Sequence, residues 1–125
     1  MTYSTDAEVN YRLDLSSNVL SQHSGMIENC RNRAYRWIVH QFARRGEDAP
    51  DVPAEGESLD DDDKVLMDIE ADMSAYFYRR DRSEFSDEEK GYKVLVWKRN
   101  AEDLLNDYLR SKYTSTYYGM NSGGN

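Results

Sequence analysis

Cysteine, histidine and long apolar runs are scarce in this chain, and each shortage excludes a class of protein. Cys30 is the one cysteine among 125 residues, so neither an internal disulfide nor a cysteine metal cluster can form. Only two histidines are present, and we expect no metal site and no cofactor. No run approaches the roughly eighteen apolar residues of a membrane-spanning helix, and the polar start does not resemble a signal peptide. The sequence therefore predicts a soluble protein, intracellular or part of a particle, with no membrane partner.

Motifs for catalysis are also missing from the sequence. No glycine-rich phosphate loop follows a predicted strand, and neither His23 nor His40 belongs to a nucleophilic catalytic motif. Acid–base catalysis needs two carboxyl groups in an apolar cleft, whereas the acids here cluster where the pattern predicts solvent. We therefore expect no enzyme activity and no catalytic residue.

The charge is acidic and unevenly distributed. The 24 Asp and Glu residues outnumber the 16 Lys and Arg residues, and the net charge is −8. General nucleic-acid binding is disfavoured because it requires the opposite sign. Residues 47–89 carry 17 acids and four bases, whereas residues 1–46 and 90–125 are each mildly basic. An acidic middle between two basic ends predicts a surface with opposite electrostatic faces.

Apolar residues recur every three or four positions over long stretches, which predicts an all-α fold. The predicted helices are a short one from the capping box Thr5-Asp6-Ala7-Glu8 to about Leu15, a long one from Ser21 or Ser24 to Arg45, a third from after Ser58 to about Arg80, and a fourth from the capping box Ser86-Asp87-Glu88-Glu89 to about Tyr113. Their predicted buried positions are Val9, Leu13, Ile27, Cys30, Ala34, Trp37, Ile38, Phe42, Leu66, Ile69, Met73, Tyr76, Phe77, Val94, Trp97, Ala101, Leu104, Leu105, Tyr108 and Leu109. We expect a small helical bundle of three long helices and one short N-terminal helix, spanning residues 1–112.

The segment 46–60 is predicted to be an acidic loop, because it contains both prolines and two glycines among its acids. The following run, Asp60–Asp63, favours the start of a helix, where carboxylates meet the positive end of the dipole. A calcium loop would space its ligands and include a glycine turn. We interpret the run as a solvated helix start.

Tyrosine is abundant, with ten copies, and the last of them lie where no core is predicted. Residues 113–125 lack a helical period and form, by prediction, an extended C-terminal arm. Aromatic residues in such a polar extension are common at interfaces. We predict that Tyr113, Tyr117, Tyr118 and Met120 bind a partner, with the arm added to it as a strand. A disordered end is the alternative interpretation.

The succession of these segments carries a family resemblance. The matching segments are Tyr3-Ser4-Thr5-Asp6-Ala7-Glu8-Val9, the alternation Ile27…Ala34…Ile38…Phe42, the stretch Leu66…Ile69…Asp72-Met73-Ser74-Ala75-Tyr76-Phe77, and the stretch Tyr92…Trp97…Ala101…Leu104-Leu105…Tyr108-Leu109. In this order the chain resembles the small head-to-tail connector proteins of tailed viruses, also called adaptor or head-completion proteins. Its acidic loop is richer in Asp than is typical of that family.

The resemblance implies a structural virion protein, made in the host cytoplasm and placed at the neck between the portal vertex of the capsid and the tail. A homo-oligomeric ring of about twelve copies would surround a channel through which genomic DNA passes without specific binding. The partners would be the portal protein and neighbouring connector or tail proteins. The residues expected to form ion pairs between subunits are Arg31, Arg36, Arg44, Arg45, Asp68 and Asp72.

A small acidic regulator is the alternative function. An antitoxin or DNA-mimic inhibitor would use the acidic block 47–89 to occupy a basic cleft on its target. Such a protein acts as a monomer or dimer with one partner, whereas a connector joins a ring. Deletion of residues 113–125 should abolish docking of a connector and leave the affinity of a mimic nearly intact.

Overall fold

The computed structural model describes residues 2–81 and 88–114, with side chains for 2–81 and 94–113. Within these ranges the chain is helical and contains no strand, which confirms the predicted all-α class. The helices are α1 (Asp6–Leu13), α2 (Ser17–Gln22), α3 (Ser24–Ala43), α4 (Val65–Asp81) and α5 (Glu88–Leu109), with a 3₁₀ turn at Asp61–Asp63 and a π-helical turn at Arg110–Thr114. None of the helices in the described ranges is both long and apolar enough to span a membrane.

Helix α4 is the centre of the fold, because α1, α3 and α5 all pack against it. Every residue from Ile69 to Ala75 is buried, so α4 is enclosed around its whole circumference over two turns. The apolar pattern predicts only one buried face for this helix. The face that the pattern predicts to be exposed contains three buried polar residues, Glu70, Asp72 and Ser74. Their polar groups need partners inside the protein.

The core is divided into two clusters along α3 and α4. Ala34, Ile38 and Phe42 of the second half of α3 pack in one cluster with residues of α4 and α5 that include Leu66 and Leu105. In the second cluster, the first half of α3 packs with α1 and the later part of α4; its members are Val9, Leu13, Ile27, Cys30, Ala71, Ala75 and Tyr78. The first half of α3 thus packs with the later part of α4, and the second half of α3 packs with the early part of α4. The two helices therefore run antiparallel.

The start of α1 follows local sequence chemistry. The predicted capping box of α1 is confirmed: the Glu8 amide donates to Thr5 Oγ1 at 3.2 Å, and Glu8 Oε1 accepts from the Thr5 amide at 3.0 Å. Helix α3 begins at Ser24, one of the two predicted starts, and the chain leaves it through Gly46 at a φ of +73°. Ser86 and Asp87 of the second predicted box lie outside the described residues.

Three features of the fold differ from the sequence prediction. Helix α4 begins at Val65 and not just after Ser58, with the 3₁₀ turn Asp61–Asp63 before it. Helix α2 was not predicted; it has six residues, buries none of them, and is capped by Ser16 Oγ, which accepts from the Val19 amide. Five predicted core residues are only half-buried, namely Trp37, Tyr76, Phe77, Trp97 and Tyr108, and Leu104 is 37% exposed. Tyr78, which lies outside the predicted stripe, is the buried aromatic residue of α4.

Candidate functional site

The N-terminal segment is fixed to the centre of the molecule by Glu70. The Tyr3 amide donates to Glu70 Oε2 at 2.9 Å, the Ser4 amide donates to Oε1 at 2.8 Å, and the Ser4 hydroxyl donates to the same oxygen. Glu70 and Ser4 are buried. The Tyr3 hydroxyl donates to the carbonyl of Pro50, so this N-terminal clamp, residues 2–4 with Glu70, also holds the acidic loop.

Arg31 closes the other side of the N-terminal clamp. Its Nη2 donates to the Ser4 carbonyl at 2.5 Å and to Thr2 Oγ1 at 2.6 Å, and its Nη1 pairs with Asp6 at 2.6 Å. Burial raises the pKa of the Glu70 carboxyl, and the three donors and Arg31 offset part of that rise. The charge of Arg31 is therefore engaged within its own chain, and its pairing between subunits stays a prediction.

Asp68 and Asp72 also have a partner in their own chain. Arg12 of α1 donates through Nε to Asp72 at 2.5 Å and through Nη2 to Asp68 at 3.3 Å. The Asp72 side chain is 11% exposed and the Asp68 side chain 64% exposed. Burial raises the pKa of Asp72 although Arg12 opposes it. These two predicted inter-subunit acids hold α1 on α4, and Arg12, which the sequence analysis missed, is their cation.

The other three predicted arginines have a different environment. Arg36, Arg44 and Arg45 are exposed on and just after α3. Among the described residues, none of the three has an ion-pair partner. The structure therefore separates the predicted set into residues engaged inside the chain and these three surface arginines.

A groove runs between the 3₁₀ turn and the last turns of α5, with a volume of about 720 Å³. It is lined by Asp60, Asp62, Asp63, Val65, Leu104, Asp107, Tyr108, Ser111 and Lys112. The lining combines apolar surface, from Val65, Leu104 and the Tyr108 ring, with four carboxyl groups. Such a combination suits a cationic side chain with an apolar stem.

Asp63 differs from the other carboxyl groups of the acidic run. It is buried, and its Oδ1 accepts from the Tyr108 hydroxyl at 2.5 Å and from Lys112 Nζ at 3.1 Å. The prediction of a solvated run is therefore wrong for Asp63, because the 3₁₀ turn directs its side chain to α5. Asp61 follows the prediction: it is exposed and pairs with Lys64 at 2.9 Å, a hydrogen bond that lowers the pKa of its carboxyl.

The Asp63–Tyr108–Lys112 contact predicts a loss of stability at alkaline pH. Burial, together with the hydrogen bond to Asp63, raises the pKa of Tyr108 to about 12. Between about pH 10, where an unfolded tyrosine ionises, and pH 12, the folded chain retains a proton that the unfolded chain loses, so stability falls as pH rises. We expect Tyr108→Phe to make this decline shallower in urea unfolding measured from pH 8 to 11. The exposed Tyr11→Phe should leave the slope unchanged; equal slopes for wild type and Tyr108→Phe would contradict the prediction.

The predicted arm begins inside the helical body. Tyr113 lies in the π-helical turn, is half-buried, and meets the Phe42 ring edge-on with centroids 6.1 Å apart. Burial raises the pKa of Tyr113. The described helical course runs through Thr114, two residues beyond the predicted boundary. The other predicted anchors, Tyr117, Tyr118 and Met120, lie outside the described residues.

Among the residues with described side chains, no three His, Cys, Asp or Glu residues are grouped to hold a metal ion, and Cys30 is buried. Comparisons with protein-family models, curated proteins and solved structures found no match to this chain.

Proposed function

We propose that this chain is a structural protein of a tailed virus that forms a ring at the neck, joins the portal vertex to the tail and lets DNA pass. The observation that carries the proposal is a pair of dissimilar charged surfaces on one helical body. Arg36, Arg44 and Arg45 are exposed on the α3 side, and carboxylates line the groove at the end of α5. Rings need a heterologous interface, in which two different surfaces of the subunit meet.

The acidic loop supports the channel part of the proposal. Asp51, Glu55 and Glu57 are exposed, and Tyr3 ties this loop to the N-terminal clamp. Repeated around a ring, such carboxylates produce a negative potential that repels DNA phosphates. DNA then moves through the channel without binding to it.

The arm supports a contact with the portal or a neighbouring subunit. The Tyr113–Phe42 contact places Tyr113, close to the last described residue, beside the end of α3, and residues 115–125 follow in the sequence. These residues contain Tyr117, Tyr118 and Met120, which are costly to leave in water and suit an interface. The partners in this proposal are the portal protein and the neighbouring connector or tail proteins.

Quantitative mass spectrometry of purified, genome-filled particles tests the neck role. We expect this chain at a copy number near that of the portal protein. When the virus is complemented with a chain that lacks residues 115–125, we expect the purified particles to lack this truncated chain. The truncation keeps the helical body and removes only the proposed docking arm. Absence of the full-length chain from filled particles would contradict the proposal.

A small acidic regulator, an antitoxin or DNA-mimic inhibitor, is the second candidate. The exposed carboxylates of residues 47–62 favour it, because they present one strongly negative surface. This reading predicts a complex with a single basic protein at one-to-one stoichiometry, retained after deletion of residues 115–125. Affinity capture with both chain lengths separates the two candidates.

A further inference from the structure

The groove at the end of α5 contains carboxyl groups that the fold does not use. Asp63, which also lines the groove, is engaged with Tyr108 and Lys112. Asp60, Asp62 and Asp107 are exposed and have no ion pair or side-chain hydrogen bond with another described residue. Lys112 neutralises Asp63, so these three carboxylates leave the groove negatively charged.

Part of the lining of the same groove is apolar. Leu104 is 37% exposed there, beside half-buried Val65 and the Tyr108 ring. An exposed leucine within a carboxylate-lined groove is well matched to arginine, whose methylene stem packs on apolar surface while its guanidinium binds carboxylates in a planar fork. A small hydrated cation has no apolar stem to pack on these residues.

Charge complementarity on the chain itself identifies the occupant. Arg44 and Arg45 are adjacent, exposed, and without an ion-pair partner among the described residues. Within one chain, no ion pair joins them to Asp60, Asp62 or Asp107. We propose that the groove receives Arg44 and Arg45 of a second copy of this chain. The inference rests on the proposed ring function, because it defines the contact by which one subunit joins the next.

A pair of introduced cysteines tests the contact in the full chain. Arg45→Cys and Asp107→Cys in one chain should give a ladder of disulfide-linked oligomers under mild oxidation at low salt. An equimolar mixture of the two single variants should give heterodimers and no longer products. The native Cys30 is buried and is present in every variant. The control pair, Gln22→Cys with Asp107→Cys, uses another exposed position and should give no ladder.

The cross-linking outcomes separate the docking from the ring. A ladder of linked oligomers supports both the docking of Arg44 and Arg45 in the groove and the proposed ring. A closed, doubly linked dimer supports the docking and contradicts the ring, because the two copies then use the same surfaces reciprocally. Monomers alone, or a yield equal to that of the control pair, would overturn the docking.

Charge reversal gives an independent measurement on chains without new cysteines. Arg44→Glu with Arg45→Glu, or Asp62→Lys with Asp107→Lys, should each weaken self-association about tenfold or more in sedimentation velocity. Mixing the two reversed variants should restore it, because each supplies the charge that the other lacks. Unchanged association in either variant would argue against the docking.

Failure of this inference and failure of the neck role are distinguishable. If the chain is present in filled particles at a copy number near that of the portal but gives no cross-link, the neck role is supported and the groove contact is contradicted. A chain that forms the ladder and is absent from particles retains the groove contact and loses the neck role.

Discussion

Glu70→Ala should lower the free energy of unfolding by about 3–5 kcal/mol, a large part of the stability of a domain this size. The substitution removes the acceptor of three hydrogen bonds from Tyr3 and Ser4. Arg31 keeps its ion pair with Asp6, so the loss comes from the donors that Glu70 leaves unpaired. Buried donors without partners destabilise the folded state. Urea unfolding followed by circular dichroism measures the change.

Three further variants make the Glu70 experiment specific. Glu70→Gln keeps the volume but places an amide NH₂ where a carboxylate oxygen accepts, so we expect a loss of about 2 kcal/mol or more. Ser4→Ala removes one hydroxyl donor and should cost about 1 kcal/mol. Glu28→Ala, at an exposed position of α3, should change stability by less than about 0.5 kcal/mol. If Glu70→Gln were as stable as wild type, the N-terminal clamp would not contribute as described.

Phe42→Ala should destabilise the protein by about 3–5 kcal/mol through the cavity that it leaves. The Phe42 side chain is fully buried in the cluster shared by α3, α4 and α5. Its ring meets Tyr108 and Tyr113 edge-on, with centroids 5.9 and 6.1 Å away. The loss should appear both in urea unfolding and as weaker near-ultraviolet circular dichroism from tyrosine.

Phe42→Leu is the matched conservative variant and should cost about 1.5 kcal/mol or less, because it retains most of the buried volume. Tyr11→Ala removes an aromatic ring that is 87% exposed and should be nearly neutral. An effect of Phe42→Ala no larger than that of Tyr11→Ala would show that α3 and the end of α5 do not depend on this contact.

Local patterns predicted the helices well where the partners of each residue are near in sequence. The capping box of α1 needs only Thr5 and Glu8, three residues apart, and the buried positions of α3 follow from helical periodicity alone. Helix α2 was missed for the same reason, since a six-residue helix without buried residues has no periodicity to detect.

The polar contacts of the site were outside the reach of such patterns. Glu70 and Asp72 look like solvent-facing residues of α4, because their partners Ser4 and Arg12 lie 66 and 60 residues earlier. Asp63 appeared solvated because Tyr108, its partner, comes 45 residues later. Arg36, Arg44 and Arg45 share with Arg31 the prediction of ion pairs between subunits, but the fold engages Arg31 within the chain and leaves the other three exposed.

The long separation between Glu70 and its partners has a kinetic consequence. Helices α4 and α5 are neighbours in sequence and in space, whereas the N-terminal clamp closes a loop of more than 60 residues. Contacts between distant residues close the longest loops, which costs the most conformational entropy. Such contacts tend to form after the folding transition state. Substitutions at Glu70 should therefore speed unfolding and leave the folding rate nearly unchanged in a chevron plot. A contact that forms after the transition state breaks before it during unfolding, so residues 2–4 undock by a local opening that requires less free energy than global unfolding.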